Sequence, residues 1–363
     1  MRVDLLDPPA YSPPYDHALA TALAALGAEV RLLTSNFVYG EPPAPHGYAR
    51  DERFYRHAVG PAGSRLRALS KRAEHPLDML RYRRAAAADV VHVQWLTVPR
   101  LDLRLLPRRP TVLTLHDPVR ASDLDRLDAI VVHSQYAREQ ALARYALDPA
   151  RVHVIHHGAL TCVANTADRC ICDLEVPPEL TDNGTPVVLS YGLMRPYKGI
   201  ATLLEAWRGI EHAQLWIVGR PMMDLSSSRA AAGWVGPNLR LVPRYVTAAE
   251  EAALFARADV VVLPYERSER FGFSGVLATA LGYGKAIVLS DIGGFSEVAD
   301  LGAAQRVPPG DTGALHDALA RLIAAPDQRA RLAAAAARAA ADEYSWEAAA
   351  AATLALYETI ATR

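Results

Sequence analysis

Cysteine is scarce in this chain, and so are long apolar runs and any surplus of charge. Three cysteines in 363 residues cannot make the disulfide framework that staples small secreted domains, which points to a reducing cytoplasm. No apolar run reaches the roughly 18 residues that a membrane-spanning helix needs. A formal net charge of −1 removes the bulk electrostatic case for nucleic acid. The opening MRVDLLDPP carries one arginine and a short apolar run that ends on acid and prolines. It reads as a first strand, not as a signal peptide. Cys162, Cys170 and Cys172 lack paired CxxC units and a clear fourth ligand, so no metal site is assigned to them, and no cofactor is expected.

What is present is an alternation. Half the residues are hydrophobic and 22% are charged, as in a soluble globular protein, and the length suggests two domains. VDLLD, EVRLLTS, DVVHVQW, TVLTLHD, AIVVHS and VHVIHHG are short apolar runs, many of them rich in valine, separated by helical segments. They indicate a buried parallel sheet with helices on both faces. Between Ala159 and Pro186 the pattern lapses into a polar stretch that reads as a linker. VVLSYG, LWIVG, LRLVPRYV, VVVLPY and AIVLSD then start a second series. The expected fold is α/β, with two doubly wound domains: residues 1–158, a linker or excursion at 159–185, and residues 186–344.

The stretch YERSERFGFSGVLATALGYGKAIVLSDIGGFSE, residues 265–297, organises the second half. A strand leaves the sheet at Pro264, a charged loop broken by glycine follows, and an apolar helix begins near Gly275. Free backbone N–H groups at a helix start make an anion site, and in a parallel sheet that loop lies at the carboxyl ends of the strands. The expected ligand is the diphosphate of a nucleotide-sugar.

These motifs resemble the GT-B fold glycosyltransferases, and among them the family-4 retaining type, also called group 1. YGLMRPYKGIATLLEAW is similar to that family's Gly–Arg–Lys–Gly strand, loop and helix. TLHD and VIHHG fit its acceptor-side strand ends, and SWEAAAAATLALYE resembles its terminal helix, so residues 345–363 are expected to pack back on the first domain. The resemblance implies two Rossmann-like domains with a deep cleft between them, a retaining reaction on a nucleotide-sugar, an acceptor hydroxyl of unknown class, and no metal requirement. No donor-metal motif of the DxD type is assigned.

Residue by residue, Arg195 and Lys198 would clamp the diphosphate beside Gly192. Arg195 lies two residues later than in many members. Phe273, Ser274, Gly275 and Val276 would offer backbone N–H groups to phosphate. The family's two glutamates, seven residues apart, are displaced. Aligning on Gly284–Lys285 leaves Phe271 and Thr279 in their places, with Glu269 nearby as the sugar contact and Thr279 as a ribose contact. Arg220, Tyr245, Val246 and Glu297 complete the donor side. His116 would lie beside the transferred sugar, with Asp117 and His157 near it. His133, His153 and His156 read as structural. Many members carry a Gly-Gly loop after the first strand. PPAYSPPYDHA stands there instead, so Tyr15, Asp16 and His17 are expected to shape the acceptor pocket.

RLRALSKRAEHPLDMLRYRR, residues 65–84, is basic and interrupted by Pro76. A solvated face is preferred there over peripheral contact with the inner face of a membrane. The other readings are a nucleotide-sugar epimerase, a phosphorylase, or a non-catalytic sugar-nucleotide binder, the last favoured by the missing second glutamate.

Overall fold

The computed structural model describes residues 1–38, 40–120, 124–161, 174–226, 236–268 and 273–362. The chain forms two compact units, Met1–Gly158 together with Trp346–Arg363, and Ala159–Ser345. The first runs β1 (Arg2–Asp7), α1 (Pro13–Ala25), β2 (Glu29–Ser35), β3 (Ala49–Phe54), α2 (Arg65–Ala85), β4 (Val90–Val93), α3 (Pro99–Leu105), β5 (Thr111–Thr114), β6 (Ala129–Val132), α4 (Gln135–Tyr145) and β7 (Val152–Val154). The second runs β8 (Val187–Tyr191), α5 (Ile200–Ala206), β9 (Gln214–Val218), β10 (Leu239–Val242), α6 (Ala248–Arg257), β11 (Val260–Leu263), α7 (Gly275–Gly282), β12 (Ala286–Ser290), α8 (Phe295–Asp300), β13 (Gln305–Val307), α9 (Thr312–Ala324) and α10 (Pro326–Ala341). The last helix, α11 (Trp346–Ala361), belongs to the first unit and packs on α1.

Among the described residues each unit is built on one parallel sheet. The strand orders are β3-β2-β1-β4-β5-β6-β7 and β10-β9-β8-β11-β12-β13. Both are doubly wound, with the order reversing between β1 and β4 and between β8 and β11. At such a point neighbouring loops diverge and leave a crevice at the carboxyl ends of the strands.

The central strands VVHV, AIVV and VVVL are buried along their whole length, because helices cover both faces, and the polar His92 among them is paired with Tyr357 and Thr114. The two edges differ. ARDERF in β3 and QRV in β13 are charged and part-exposed, so their apolar signal is too weak to mark them as strands from sequence. In α1 the buried residues Tyr15, Leu19 and Leu23 fall four apart on one face, and they meet Ala350, Tyr357 and Ile360 of α11 in one core. The Glu250 N–H donates to Thr247 Oγ1 and the Thr247 N–H to the Glu250 carboxylate, and this reciprocal pair starts α6.

Pro76 does not break α2, which continues from Arg65 to Ala85. Proline costs the helix one N–H bond, and the buried His75, Asp78, Met79 and Tyr82 hold the helix together across it. Leu66, Leu69 and Leu77 of the same helix are exposed. No helix among the described residues is long and apolar enough to cross a membrane. At the start of the stretch read as a linker, Ala159 N–H donates to Tyr344 O at 2.6 Å and Leu160 N–H to Ala278 O at 3.0 Å, both in the second unit. Cys162, Cys170 and Cys172 lie outside the described residues.

Candidate functional site

In the second unit the crevice between β8 and β11 collects part of the set expected on the donor side. β8 ends at Tyr191, and Gly192 turns the chain into a loop that closes with a short helical turn, Pro196–Lys198. Gly199 follows with φ +64°, and a methyl group there would lie 1.8 Å from Pro264 O. Only glycine permits so close a backbone approach, and that approach brings the Lys198 loop against the strand exit at Pro264. Lys198 Nζ donates to Tyr191 O at 3.4 Å and stands 5.0 Å from the centre of the Tyr265 ring. A methyl group on Gly192 would lie 3.0 Å from Lys198 Nζ and 3.1 Å from Val276 Cγ2. These three residues therefore border one small space.

The start of α7 faces that space. Ser274 is its N-cap: its Oγ accepts from Val276 N–H at 3.2 Å and lies 3.0 Å from the Tyr265 hydroxyl. This corrects one expectation. The Val276 amide is already capped, while the Ser274 and Gly275 N–H groups have no acceptor among the described residues, and a methyl group on Gly275 would meet nothing within 4 Å. A helix start carries a partial positive charge, and here it lies beside a fixed ammonium. Arg195 is half-buried at the start of the short turn.

The remaining donor-side residues divide. Thr279 is 4% exposed, and its hydroxyl donates to Gly275 O at 2.9 Å. The proton expected for a ribose contact is thus spent inside the helix. The Phe273 ring stacks on Tyr344, centroids 5.8 Å apart. Glu297, in the first turn of α8, reaches the same tyrosine: burial first and the Glu297 charge next raise the pKa of its hydroxyl. The Arg220 guanidinium lies 5.8 Å from the Tyr245 ring centre, and Val246 packs on the core beside it. Glu269 lies outside the described residues. Sequence reasoning missed Tyr265, which lies beneath the lysine. Its position one residue beyond Pro264, at the strand exit, was the available signal.

In the first unit the crevice between β1 and β4 is aromatic. Trp95, just past β4, stacks on His116 at 4.8 Å and 16° and meets the exposed Tyr11 edge-on at 5.4 Å. Trp95 Nε1 donates to Ser12 Oγ at 2.8 Å. Tyr15 packs edge-on against His116, His157 and Trp346. His116 Nδ1 lies 3.1 Å from His133 Nε2, and His133 Nδ1 lies 3.0 Å from Ile155 O. A carbonyl only accepts, so His133 carries its proton on Nδ1. Neutral His133 then accepts at Nε2, His116 donates from Nδ1, and His116 Nε2 keeps its lone pair. That nitrogen faces the Gln94 side-chain amide at 3.3 Å. The contact is satisfied with the Gln94 NH2 turned toward it, since the buried amide otherwise has a donor with no acceptor.

Burial keeps these rings neutral. Desolvation first, and the neighbouring histidines next, hold His116 well below the ordinary histidine range. Desolvation likewise lowers His133 to about 4 and His157 to about 3. His157 is buried with Nδ1 2.7 Å from Gly158 O. His133, read from sequence as structural, is the residue that fixes the tautomer of His116.

Tyr15 is buried in the core, while Asp16 and His17 line a small cavity with Pro42, Pro43 and Tyr48. Asp16 is 1% exposed and lies against Asp7. Desolvation first and the Asp7 charge next raise its pKa well above the usual carboxyl range, and burial raises Asp7 as well, so the two buried carboxyls share a proton. Asp7 Oδ2 accepts from Tyr11 N–H at 2.8 Å and Ser12 N–H at 3.2 Å. The proline loop offers no free pair of amides here, because an acid has claimed them. His17 is half-buried, its Nδ1 3.0 Å from the Tyr48 hydroxyl, and Asp117 follows His116 part-buried.

Two family models match this chain, one in each unit: Glycosyltransferase Family 4 over residues 15–160 and Glycosyl transferases group 1 over residues 185–325. The chain belongs to the GT-B group 1 glycosyltransferases. It is 37% identical over 172 residues to a phosphatidyl-myo-inositol mannosyltransferase of Mycobacterium leprae, covering 46% of this chain and 44% of that protein. It is 26% identical over 396 residues to a D-inositol 3-phosphate glycosyltransferase of Kineococcus radiotolerans, covering 93% and 88%. Among solved structures, Anabaena HepE in complex with UDP and glucose superimposes with a TM-score of 0.67 at 16% identity, over 99% of this chain and 100% of that one. That likeness carries the fold alone.

Proposed function

We propose that this protein is a retaining, metal-independent glycosyltransferase that moves a sugar from a nucleotide-sugar to an acceptor hydroxyl. The observation that carries the reading is the juxtaposition in the second unit of Lys198 Nζ, the Gly275 N–H at the start of α7, and the space above Gly192. An ammonium and a helix start aimed at one small space suit a diphosphate, and they stabilise the charge that develops on it as the sugar leaves. His116 is neutral, and a substrate hydroxyl that displaces the Gln94 amide from its Nε2 would find an acceptor there. No protein nucleophile is assigned. In this reading the acceptor attacks from the face of the leaving phosphate, whose oxygen takes the proton.

The test is calorimetric titration of the full chain with UDP, GDP, ADP and their sugars, followed by the anomeric configuration of the product by NMR. Lys198→Ala is expected to weaken nucleotide binding roughly 10- to 100-fold. Unchanged affinity in that variant overturns the phosphate assignment, and an inverted product overturns retention. The buried Thr279 favours one second reading, a sugar-nucleotide binder without transfer. Binding with neither transfer nor slow donor hydrolysis would establish it.

A further inference from the structure

The loop between β1 and α1 is tied to one acid. Residues 8–14 read Pro, Pro, Ala, Tyr, Ser, Pro, Pro, and proline has no N–H. Three N–H groups remain, and all three go to Asp7. Ala10 N–H donates to Asp7 O at 3.1 Å, and the Tyr11 and Ser12 N–H groups donate to Asp7 Oδ2 at 2.8 and 3.2 Å. Ala10 takes φ +57° to make this turn, a region uncommon for a residue with a side chain. Such strain persists only where its surroundings hold it.

A second acid closes the loop from its far end. Asp7 ends β1, and Asp16 stands in the first turn of α1. Both are buried, and their carboxyl groups bond each other. Two carboxyl groups do so only when one of them carries a proton. That proton accounts for a further observation. Asp7 Oδ1 and Asp16 Oδ1 are both buried and receive no N–H or hydroxyl from any other described residue. One proton between them leaves a single negative charge, which the Tyr11 and Ser12 amides meet. Two ionised acids at this depth would repel.

What the pair holds is Trp95. Ser12 Oγ accepts from Trp95 Nε1 at 2.8 Å, and the Ser12 hydroxyl lies within reach of the Asp16 carboxyl, whose ionised form it favours. The Tyr11 ring meets the Trp95 ring edge-on at 5.4 Å. Two consecutive residues, with amides on one carboxylate oxygen, thus fix the indole at its N–H and at its ring. Trp95 stacks on His116 at 4.8 Å and 16°. Tyr15, the residue before Asp16, closes on His116 edge-on at 4.9 Å and 89°.

We propose that Asp7 and Asp16 are positioning residues: through the Ser12 hydroxyl and the Tyr11 ring they fix Trp95, and Trp95 fixes the plane of His116. His133 sets which nitrogen of His116 carries the proton, and the acid pair sets where the other nitrogen lies. The proposal rests on the reading of His116 as the group that receives a substrate hydroxyl.

The test is spectroscopic and needs no substrate. In the full chain, isotopically labelled at histidine and tryptophan for NMR, the Trp95 indole N–H and the His116 ring protons are assigned with Trp95→Phe and His116→Asn. A stacked indole shields the ring protons of His116, and the bond to Ser12 protects the indole N–H from exchange. Asp16→Asn keeps the shape of the protonated acid, with an amide to donate to Asp7 and an oxygen for Ser12, and is expected to keep both signatures. Asp16→Ala is expected to lose them. The His116 protons leave their shielded position, and the Trp95 N–H exchanges roughly tenfold faster, the equivalent of one hydrogen bond. Ser12→Ala breaks the same relay one step on and should do the same, which keeps the test decisive if Asp16→Ala does not fold. UDP affinity stays unchanged in all three variants. Whichever of UDP-glucose, GDP-mannose and ADP-glucose the parent consumes should turn over roughly tenfold more slowly in Asp16→Ala and Ser12→Ala, at unchanged KM. Parent-like spectra in Asp16→Ala or Ser12→Ala, loss of both signatures in Asp16→Asn, or altered spectra with parental turnover would each overturn the assignment. Absence of UDP binding in the parent, with the signatures as expected, would instead overturn the donor assignment and leave this one standing.

Discussion

At the switch point of the first sheet the strand ends carry rings, while at the switch point of the second they carry a cation and a helix start. Trp95, His116, His133 and Tyr15 are packed ring against ring, and their polar atoms are largely used within the cluster. Lys198, Gly192 and Gly275 leave room between them. The same sheet geometry thus serves two kinds of chemistry. A neutral ring cluster fixes a tautomer by passing one constraint, the Ile155 carbonyl, through His133 to His116. The second crevice instead sets the Lys198 ammonium, which donates to Tyr191 O, close to Gly192 and the start of α7.

The contrast can be broken most sharply in the second unit. Gly199→Ala would press a methyl group to 1.8 Å from Pro264 O at a φ of +64°. It is expected to abolish nucleotide binding and to lower the melting temperature by on the order of 10 °C, since displaced backbone costs several kcal/mol. Normal binding in that variant would show that the Lys198 loop does not depend on this close approach.

The ring cluster is tested next. His133→Phe keeps a ring of similar shape and frees the His116 tautomer. Turnover is expected to fall on the order of tenfold or more, with UDP affinity unchanged. Equal loss of both would assign His133 to folding alone.

Acid sharpens the same point. The folded pKa values of His133, about 4, and His157, about 3, lie below the unfolded value near 6.5. Below pH 6.5 the unfolded chain therefore binds more protons, and stability falls as pH drops toward 4. The slope is about 1.4 kcal/mol per pH unit for each fully differing histidine. Asp16, with a raised folded pKa, works in the opposite direction. Denaturant midpoints measured from pH 7 to pH 4.5 check the sign, and a flat profile would contradict neutral burial of the cluster.

The smallest effect is expected from Ser274→Ala. It removes the Oγ that caps Val276 N–H and costs about 1 kcal/mol. It also frees an amide beside the proposed phosphate site, so nucleotide affinity should change less than in Lys198→Ala. A larger loss would make the Ser274 hydroxyl itself a ligand contact.

Much of the site was legible because strand ends are legible. Short valine-rich runs mark buried parallel strands, and the residues just after them lie at the ligand-binding edge whatever the details of packing. His116, Gly192 and Lys198 were found in this way. Tyr265, His133 and Trp95 occupy equivalent strand-end positions, but their residue types also suit plain packing. Only the contact of Tyr265 with Lys198, of His133 with His116 and of Trp95 with Ser12 gives them roles. Thr279 shows the opposite failure. Its place in the motif suggested a ribose contact, and the helix turned its hydroxyl back onto Gly275 O. The edge strands β3 and β13 were hidden because an edge has an exposed side, and its charges erase the apolar run.

The sequence by itself determined two doubly wound α/β units, their buried strands and the loops that carry chemistry, because periodicity and strand-end position are local properties of the chain. The tertiary structure decided which of those side chains meet. It decided which histidine holds which proton and which acid claims the amides of the proline loop. Those outcomes depend on atoms brought within about 3 Å from opposite ends of a sheet or from separate helices. No spacing in the sequence encodes such distances directly.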